Sequence, residues 1–220
     1  MERNARTLLC LGPPHSGKSV FAFVLFKHLR KLGNDACIMD CDYYSPTYRR
    51  IRIAEFAGSS DNEHIYTTPN CRKLHKLTED NYCRLSQSIY DSIEEEGVIV
   101  LDGIGLHTKS TDFLLSLANM LIVLCPSKFK VDVDSKRCCY VREGKPIHPF
   151  EFYHGLKNKT VTVTTYYQDE KKVSFDPKGL CGELYNLDRD AILEGNFEKI
   201  AKDTIDMILQ IASFLLDNWI

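Results

Sequence analysis

Eight consecutive residues, Gly12-Pro13-Pro14-His15-Ser16-Gly17-Lys18-Ser19, carry the spacing G-x-x-x-x-G-K-S. Glycines near both ends let the backbone turn tightly, so that successive N–H groups converge on one set of anionic oxygens. The residues through Val20 complete the cradle where a helix begins. In such a loop the lysine, Lys18, reaches terminal phosphate oxygens and the serine hydroxyl, Ser19, ligates Mg²⁺. The expected ligand is a nucleoside triphosphate with Mg²⁺. ATP is the default, since the chain reads no N/T-K-x-D sequence for guanine. His15 is either a variable loop position or a contact to phosphate or to a neighbouring subunit.

Phosphate chemistry also needs acids, and open α/β sheets place ligands at the carboxyl ends of their strands. Two apolar runs end suitably. The first, Ala36 to Met39, ends in Asp40-Cys41-Asp42. An acid here is placed to take the proton of an attacking hydroxyl, with Asp42 the first choice and Asp40 the second. Either could instead hold a metal-bound water, or the segment could be an Asp-rich turn ahead of Pro46. The second run, Val98 to Leu101, ends in Asp102-Gly103, and Asp102 is the expected partner of Ser19 at Mg²⁺, partly through water. A glycine rather than a glutamate follows Asp102, which argues against a motor ATPase that orients water with that glutamate. Beside the first acid, Tyr43 and Tyr44 can stack on an acceptor or pack in the core. Arg49 and Arg50 can bind an anionic group on the acceptor or form a surface helix face.

The elements that must hold these residues follow from periodicity. Arg6 to Leu11 reads as a strand. Lys18 to Leu32 reads as a helix, apolar nearly all round at first, with Gly33 at its C-terminal end. Ala36 to Met39, a short stretch around His64 to Thr67, Val98 to Leu101 and Met120 to Cys125 read as strands. Helices are expected from Pro46 to near Gly58, from Thr78 to Glu96 and around Leu114 to Ala118. Residues 127–158 are mixed and charged and read as an irregular lid. Thr160 to Tyr166 could form a hairpin with Lys171 to Phe175, and Phe197 to Leu215 a long amphipathic helix. The alternation predicts a single α/β domain over residues 1–220, with a mainly parallel sheet of about five strands and helices on both faces.

Composition fits that reading. Of the 220 residues 44 % are hydrophobic and 26 % charged, as in ordinary globular domains. The net charge of −2 provides no global attraction to nucleic acid or to an anionic membrane, so neither is an expected direct ligand. The longest apolar stretch, Phe113 to Cys125, is too short to span a bilayer. The nine cysteines are odd in number and include no Cys-x-x-Cys pair, which suits free thiols in a reducing cytoplasm. Cys37, Cys41, Cys71 and His75 can be drawn as a zinc set, but their spacing fits no familiar module.

Two families share these motifs. Asp42-Tyr43-Tyr44-Ser45-Pro46 and Val98-Ile99-Val100-Leu101-Asp102-Gly103-Ile104 resemble segments of the P-loop kinases that include uridine kinase, nicotinamide riboside kinase and phosphoribulokinase. The resemblance covers roughly residues 6 to 125. It implies transfer of the γ-phosphate of ATP–Mg²⁺ to a hydroxyl of a small, nucleoside-like acceptor, with Asp42 as base. It also implies lid arginines that stabilise the transferred group, for which Arg137 and Arg142 are the candidates; a solvated basic face is the alternative. The chain departs from that family in having Asp102 where glutamate is common and in lacking a tidy arginine repeat. Separately, Gly12 to Val20 resembles the loop of the P-loop domain fused to some CRISPR-associated ring nucleases of type III systems. That resemblance implies a nucleotide-gated switch or accessory ATPase without a small-molecule acceptor, working with a defence-complex partner or as a homodimer.

Overall fold

Strands form where uncharged, largely β-branched and aliphatic runs leave no helical stripe, and they become parallel when both of their faces are buried. The computed structural model describes residues 6–41, 64–67, 97–103, 109–128, 130–133, 137–142, 145–151, 160–166 and 171–218. Its main sheet contains β1 (Arg6–Leu11), β2 (Ala36–Asp40), β3 (Ile65–Thr67), β4 (Val98–Asp102) and β5 (Met120–Pro126). The remaining strands of this sheet are β9 (Thr160–Tyr166), β10 (Ser174–Asp176) and β11 (Cys181–Tyr185). The strand order is β10-β11-β9-β5-β1-β4-β2-β3. All neighbours run parallel except the edge pair β10–β11. The expected α/β class is present, but the sheet has eight strands rather than five.

The extra width comes from the C-terminal third. Thr160 to Tyr166 does not turn back as a hairpin. It runs parallel to β5, pairing Thr160 with Leu121 and Val163 with Leu124. The segment expected to pair with it lies instead against β11, Ser174 opposite Glu183. The alternating pattern of β9 buries Val161 and Val163, so it has an inner face to satisfy, and the open edge of fully buried β5 provides the neighbour. Between β5 and β9, the stretch expected to be irregular forms a second, three-stranded antiparallel sheet. Its strands are β6 (Lys130–Val133), β7 (Arg137–Arg142) and β8 (Lys145–Glu151).

Helix α1 (Lys18–Lys31) lies on the sheet with Val20 through Phe26 all buried, as its unbroken apolar run requires. Leu32 is its C-cap and Gly33 follows at φ +82°, the left-handed turn anticipated from the sequence. Helix α2 (Lys109–Leu117) begins before the short helix predicted there. Helix α3 (Arg189–Leu193) is capped by Asp188, whose side chain accepts from Asp190 N at 2.8 Å. The predicted long C-terminal helix is broken. Phe197–Lys199 forms a 3₁₀ turn, Ile200 and Ala201 are extended, and α4 runs Lys202–Asp217. The apolar period continues across the break because Ile200 is buried without being helical. The helices expected over residues 46–58 and 78–96 lie outside the described residues.

One core cluster unites alternate strand residues, among them Leu8, Ile38, Val100, Ile122 and Val163, with α1 and α4. Phe23 sits within it, stacked on Phe197 at 6.0 Å between ring centroids and tilted against Phe26 at 6.1 Å. Truncating this ring leaves a cavity that the surrounding close-packed side chains cannot fill. Phe23→Ala is expected to lower unfolding free energy by about 3–5 kcal/mol, measured by urea denaturation followed by circular dichroism.

Candidate functional site

The phosphate-loop residues follow directly from the buried end of β1, the fourth strand from the β3 edge and flanked by β4 and β5. A side chain at Gly12 would press on the Ser16 hydroxyl and come within 2.7 Å of Leu124 O, so the turn can pass only without one. Ser16 N donates to Pro13 O at 3.2 Å, which tightens the turn, and His15 takes φ 64°. Gly17 stands at the N-cap of α1 with φ +82°, and a Cβ there would lie 2.5 Å from Leu187 Cδ1. Both its conformation and its surroundings therefore demand glycine.

A helix start normally recruits a side chain to its open N–H groups. Here Gly17 supplies none, and the first turn of α1 holds no acid. The Ser16 hydroxyl is buried without a hydrogen-bond partner among the described residues. Uncapped donors, positive dipole and the buried Lys18 together favour an anion at this position.

Under the loop the sheet registers bring two acids together. Cys10 pairs with Asp102 across β1 and β4, and Asp40 pairs with Asp102 across β2 and β4. Register partners point to the same face, so Cys10, Asp102 and Asp40 form one row across three adjacent strand ends. Asp40 is 0 % exposed and Asp102 1 %. Adjacent strands lie about 4.8 Å apart, so the two acids are close neighbours whose field acts along the row. The Cys10 thiol registers that field. Burial first and Asp102 second push its pKa up, while Lys18 pulls the other way. Backbone bonds from Cys41 N to Asp102 O and from Gly103 N to Cys10 O, both 2.9 Å, lock the three strand ends together. A Cβ at Gly103 would meet Cys10 O at 2.8 Å and Leu11 Cδ2 at 2.5 Å, so glycine is required for the chain to leave β4 here.

The donor chemistry fits Mg²⁺. A small hard cation takes one or two carboxylates and a hydroxyl and leaves its remaining positions to water and phosphate oxygens. Asp102, Asp40 and Ser19 offer that set, and no group of three or more His, Cys, Asp or Glu suited to a metal occurs among the described residues. Cys37 and Cys41, half of the drawn zinc set, are buried free thiols, and Cys41 Sγ lies 3.6 Å from Met39 O. Cys71 and His75 lie outside the described residues.

Beside the loop opens a cleft of about 440 Å³ that the sequence did not reveal. His15, Ser16 and Gly17 form one side. Pro126 from the end of β5, Thr165 and Tyr166 from β9, and Asn186 to Arg189 after β11 form the other. This opposing wall is held firmly. Asn186, at φ 53°, donates through Nδ2 to Lys199 O at 2.9 Å. Asp188 N donates to Asn186 O at 2.9 Å, and the Tyr166 hydroxyl donates to Glu183 Oε1 at 2.8 Å. Sequence reading assigned Tyr166 strand propensity alone and passed over Asn186 to Arg189. The available signals were Asp188 as an N-cap and the parallel strands that end beside it.

The other sequence candidates divide into two groups. Asp42, Tyr43, Tyr44, Arg49 and Arg50 lie outside the described residues. Arg137 and Arg142 are the first and last residues of β7, in the small sheet. No described helix is long and apolar enough to cross a membrane.

No family model and no curated protein matches the chain. Solved structures do. A plasmid partition protein of Borrelia burgdorferi bound to AMPPNP superposes with a TM-score of 0.56 at 12 % identity, covering 96 % of this chain and 99 % of that one. A plasmid partition protein from the same organism, in an iodide-soaked crystal, gives 0.51 at 10 % identity, covering 96 % and 99 %. A ParA-family ATPase from Chlorobium tepidum gives 0.50 at 10 % identity, covering 96 % and 98 %. The fold is that of ParA-like P-loop NTPases.

Burial disfavours the thiolate, the reactive form of a cysteine. The Cys125 thiol, just before Pro126 at the cleft, is pushed up to about 12, and those of Cys10 and Cys37 are also raised by burial. Cys181 is exposed. Alkylation of the folded protein near pH 8, mapped by mass spectrometry, should therefore modify Cys181 and spare Cys10, Cys37 and Cys125. Labelling of Cys10 before Cys181 would contradict this arrangement.

Proposed function

We propose that the chain binds ATP with Mg²⁺ and cleaves the γ-phosphate to water, as a nucleotide-driven ATPase. The observation that carries this reading is the row of Asp102 and Asp40, buried at adjacent strand ends beneath the Lys18 loop. The AMPPNP in the Borrelia protein of the same fold supports an adenine nucleotide. In this reading the loop amides and Lys18 take the β- and γ-phosphate oxygens, and the cleft between His15 and Asn186 takes the nucleoside end. When bound, Mg²⁺ neutralises phosphate charge as it develops. Ser19 and Asp102 would hold the ion. Asp40, flush with Asp102, would accept a hydrogen bond from the attacking water. This reading gives the water to Asp40, the second choice from the sequence; Asp42, the first choice, lies outside the described residues.

The kinase reading remains a defined alternative outcome. Its acceptor side rests on Asp42, Tyr43, Tyr44, Arg49 and Arg50, whereas the ATPase reading needs only residues placed in the row and loop. Incubation with γ-labelled ATP and Mg²⁺, with and without a pool of nucleosides and small metabolites, separates the two. Label released as free phosphate in both cases is expected. Label on a small molecule would overturn hydrolysis in favour of transfer, and failure to bind ATP would remove both.

Variants test the row. Lys18→Ala is expected to weaken ATP binding at least about tenfold by isothermal titration calorimetry. Asp40→Asn and Asp102→Asn should each slow phosphate release roughly 10²–10³-fold. Asp102→Asn should also raise the Mg²⁺ concentration needed for half-maximal activity. Full activity in Asp40→Asn would remove Asp40 from the water-holding role.

A further inference from the structure

Tyr166, the last residue of β9, borders the cleft beside the phosphate loop. Residues from β10, β11 and the segment before β10 fix it there. Its hydroxyl donates to Glu183 Oε1 at 2.8 Å, and the Ser174 hydroxyl donates to Glu183 Oε2 at 2.9 Å. Lys172 Nζ lies 4.6 Å from the centroid of the Tyr166 ring. One carboxylate thus ties β9 and β10 to β11, and one ammonium covers a face of the ring. Resting on the reading in which the cleft takes the nucleoside end of ATP, we propose that the nucleoside packs against Tyr166 and that Glu183 is the positioning residue that holds this ring in place.

The register explains why Glu183 reaches the phenol. Tyr166 pairs with Tyr185 across β9 and β11, and Glu183 stands two residues before Tyr185 on the same face of its strand. Ser174 pairs with Glu183 from the other side. The bonds from Tyr166 first and Ser174 second hold the Glu183 carboxyl below its ordinary range, against a smaller push from burial and with help from Lys172. At neutral pH the carboxyl is therefore ionised and accepts both hydroxyls. The phenol gives its one O–H to Glu183, so the ring meets a ligand chiefly as apolar and π surface, alongside Pro126 and Leu187 in the cleft lining. Phosphate oxygens gain nothing from such a surface, whereas a base or ribose buries apolar area on it. A ring immobilised before the ligand arrives also loses little rotamer freedom on binding.

Isothermal titration calorimetry on the full chain, with Mg–ATP and with Mg–tripolyphosphate, tests both parts. Tyr166→Ala is expected to weaken ATP binding at least about fivefold and to leave tripolyphosphate binding unchanged. Tyr166→Phe keeps the ring but loses its tie, and should weaken ATP alone by roughly two- to fivefold. Glu183→Ala should match Tyr166→Phe, and the double variant should be no weaker than either single one. Glu183→Gln, whose amide oxygen can still accept from the phenol, should bind ATP within about twofold of the unaltered chain. Unchanged ATP affinity in Tyr166→Ala would overturn the contact. So would ATP and tripolyphosphate affinities that fall together, the mark of a network that only fastens the strands. A Glu183→Ala loss of the same size with and without Tyr166→Phe would overturn the positioning role. These ratios are read from binding and do not depend on hydrolysis. A chain that shows them but moves the γ-phosphate to a small molecule would refute the ATPase reading and keep this proposal; a hydrolysing chain without them would do the reverse.

Discussion

Two carboxylates buried side by side constrain everything around them. Asp40 and Asp102 sit at the same register position on neighbouring strands, with solvent excluded from both. In a medium of low effective dielectric such a pair is costly unless cationic charge is delivered to it. Lys18, buried at the start of α1, is one such charge, and its influence reaches the same row at Cys10. The loop that places Lys18 also presents an uncapped helix start above the same row. In the proposed ATPase reading, Mg–ATP would bring a cation to the acids and an anion to the helix start.

This arrangement depends on the sheet being parallel and flush. The strands β2, β4 and β1 end within one residue of each other in register, so the loop, the two acids and the exit at Gly103 share one edge. Antiparallel neighbours would have sent one of the acids to the opposite end of the molecule. The backbone bonds at Cys41 and Gly103 fasten this edge, and glycine at 12, 17 and 103 allows side chains and carbonyls to approach where any Cβ would intervene. The site's precision is therefore a property of backbone packing, with few side chains needed to enforce it.

What could be read from sequence follows from how local each feature is. The loop is a contiguous pattern between two apolar runs, so Gly12 to Val20 and the helix after it were legible. Asp102 was legible because it ends an uninterrupted apolar strand. Asp40 was visible at a strand end, but its place beside Asp102 depended on the β2–β4 register, which periodicity does not encode. The same limitation applied to Thr160 to Tyr166. Its alternation identified a strand and one buried face, but could not say whether β5 or the following segment would pair with it. The break at Ile200 and Ala201 was hidden because burial of Ile200 continues the apolar period while the backbone is extended. The cleft escaped for a stronger reason: Tyr166, Asn186 and Gly17 are far apart in sequence and meet only through the order of the strands.

The unexpected width of the sheet is what gives the phosphate loop a neighbouring wall. A sheet that stopped at β5 would leave Gly17 without Leu187 against it. Adding β9 and β11 in parallel brings two more strand ends to the same edge, and the chain leaving β11 turns at Asn186 to lay Leu187 against Gly17. The contact joins the phosphate end of the site to the cleft through one glycine. Because Asn186 is held to Lys199 and Asp188 caps α3, this wall is set by the same C-terminal segment that packs α4 onto α1. Phe197 belongs to that segment as well: it stacks on Phe23 within the core and lines a recess between α1 and α4 beyond it. The C-terminal third thus shapes the surroundings of α1 at both ends, with the phosphate-loop edge at its start and the Phe197-lined recess at its close.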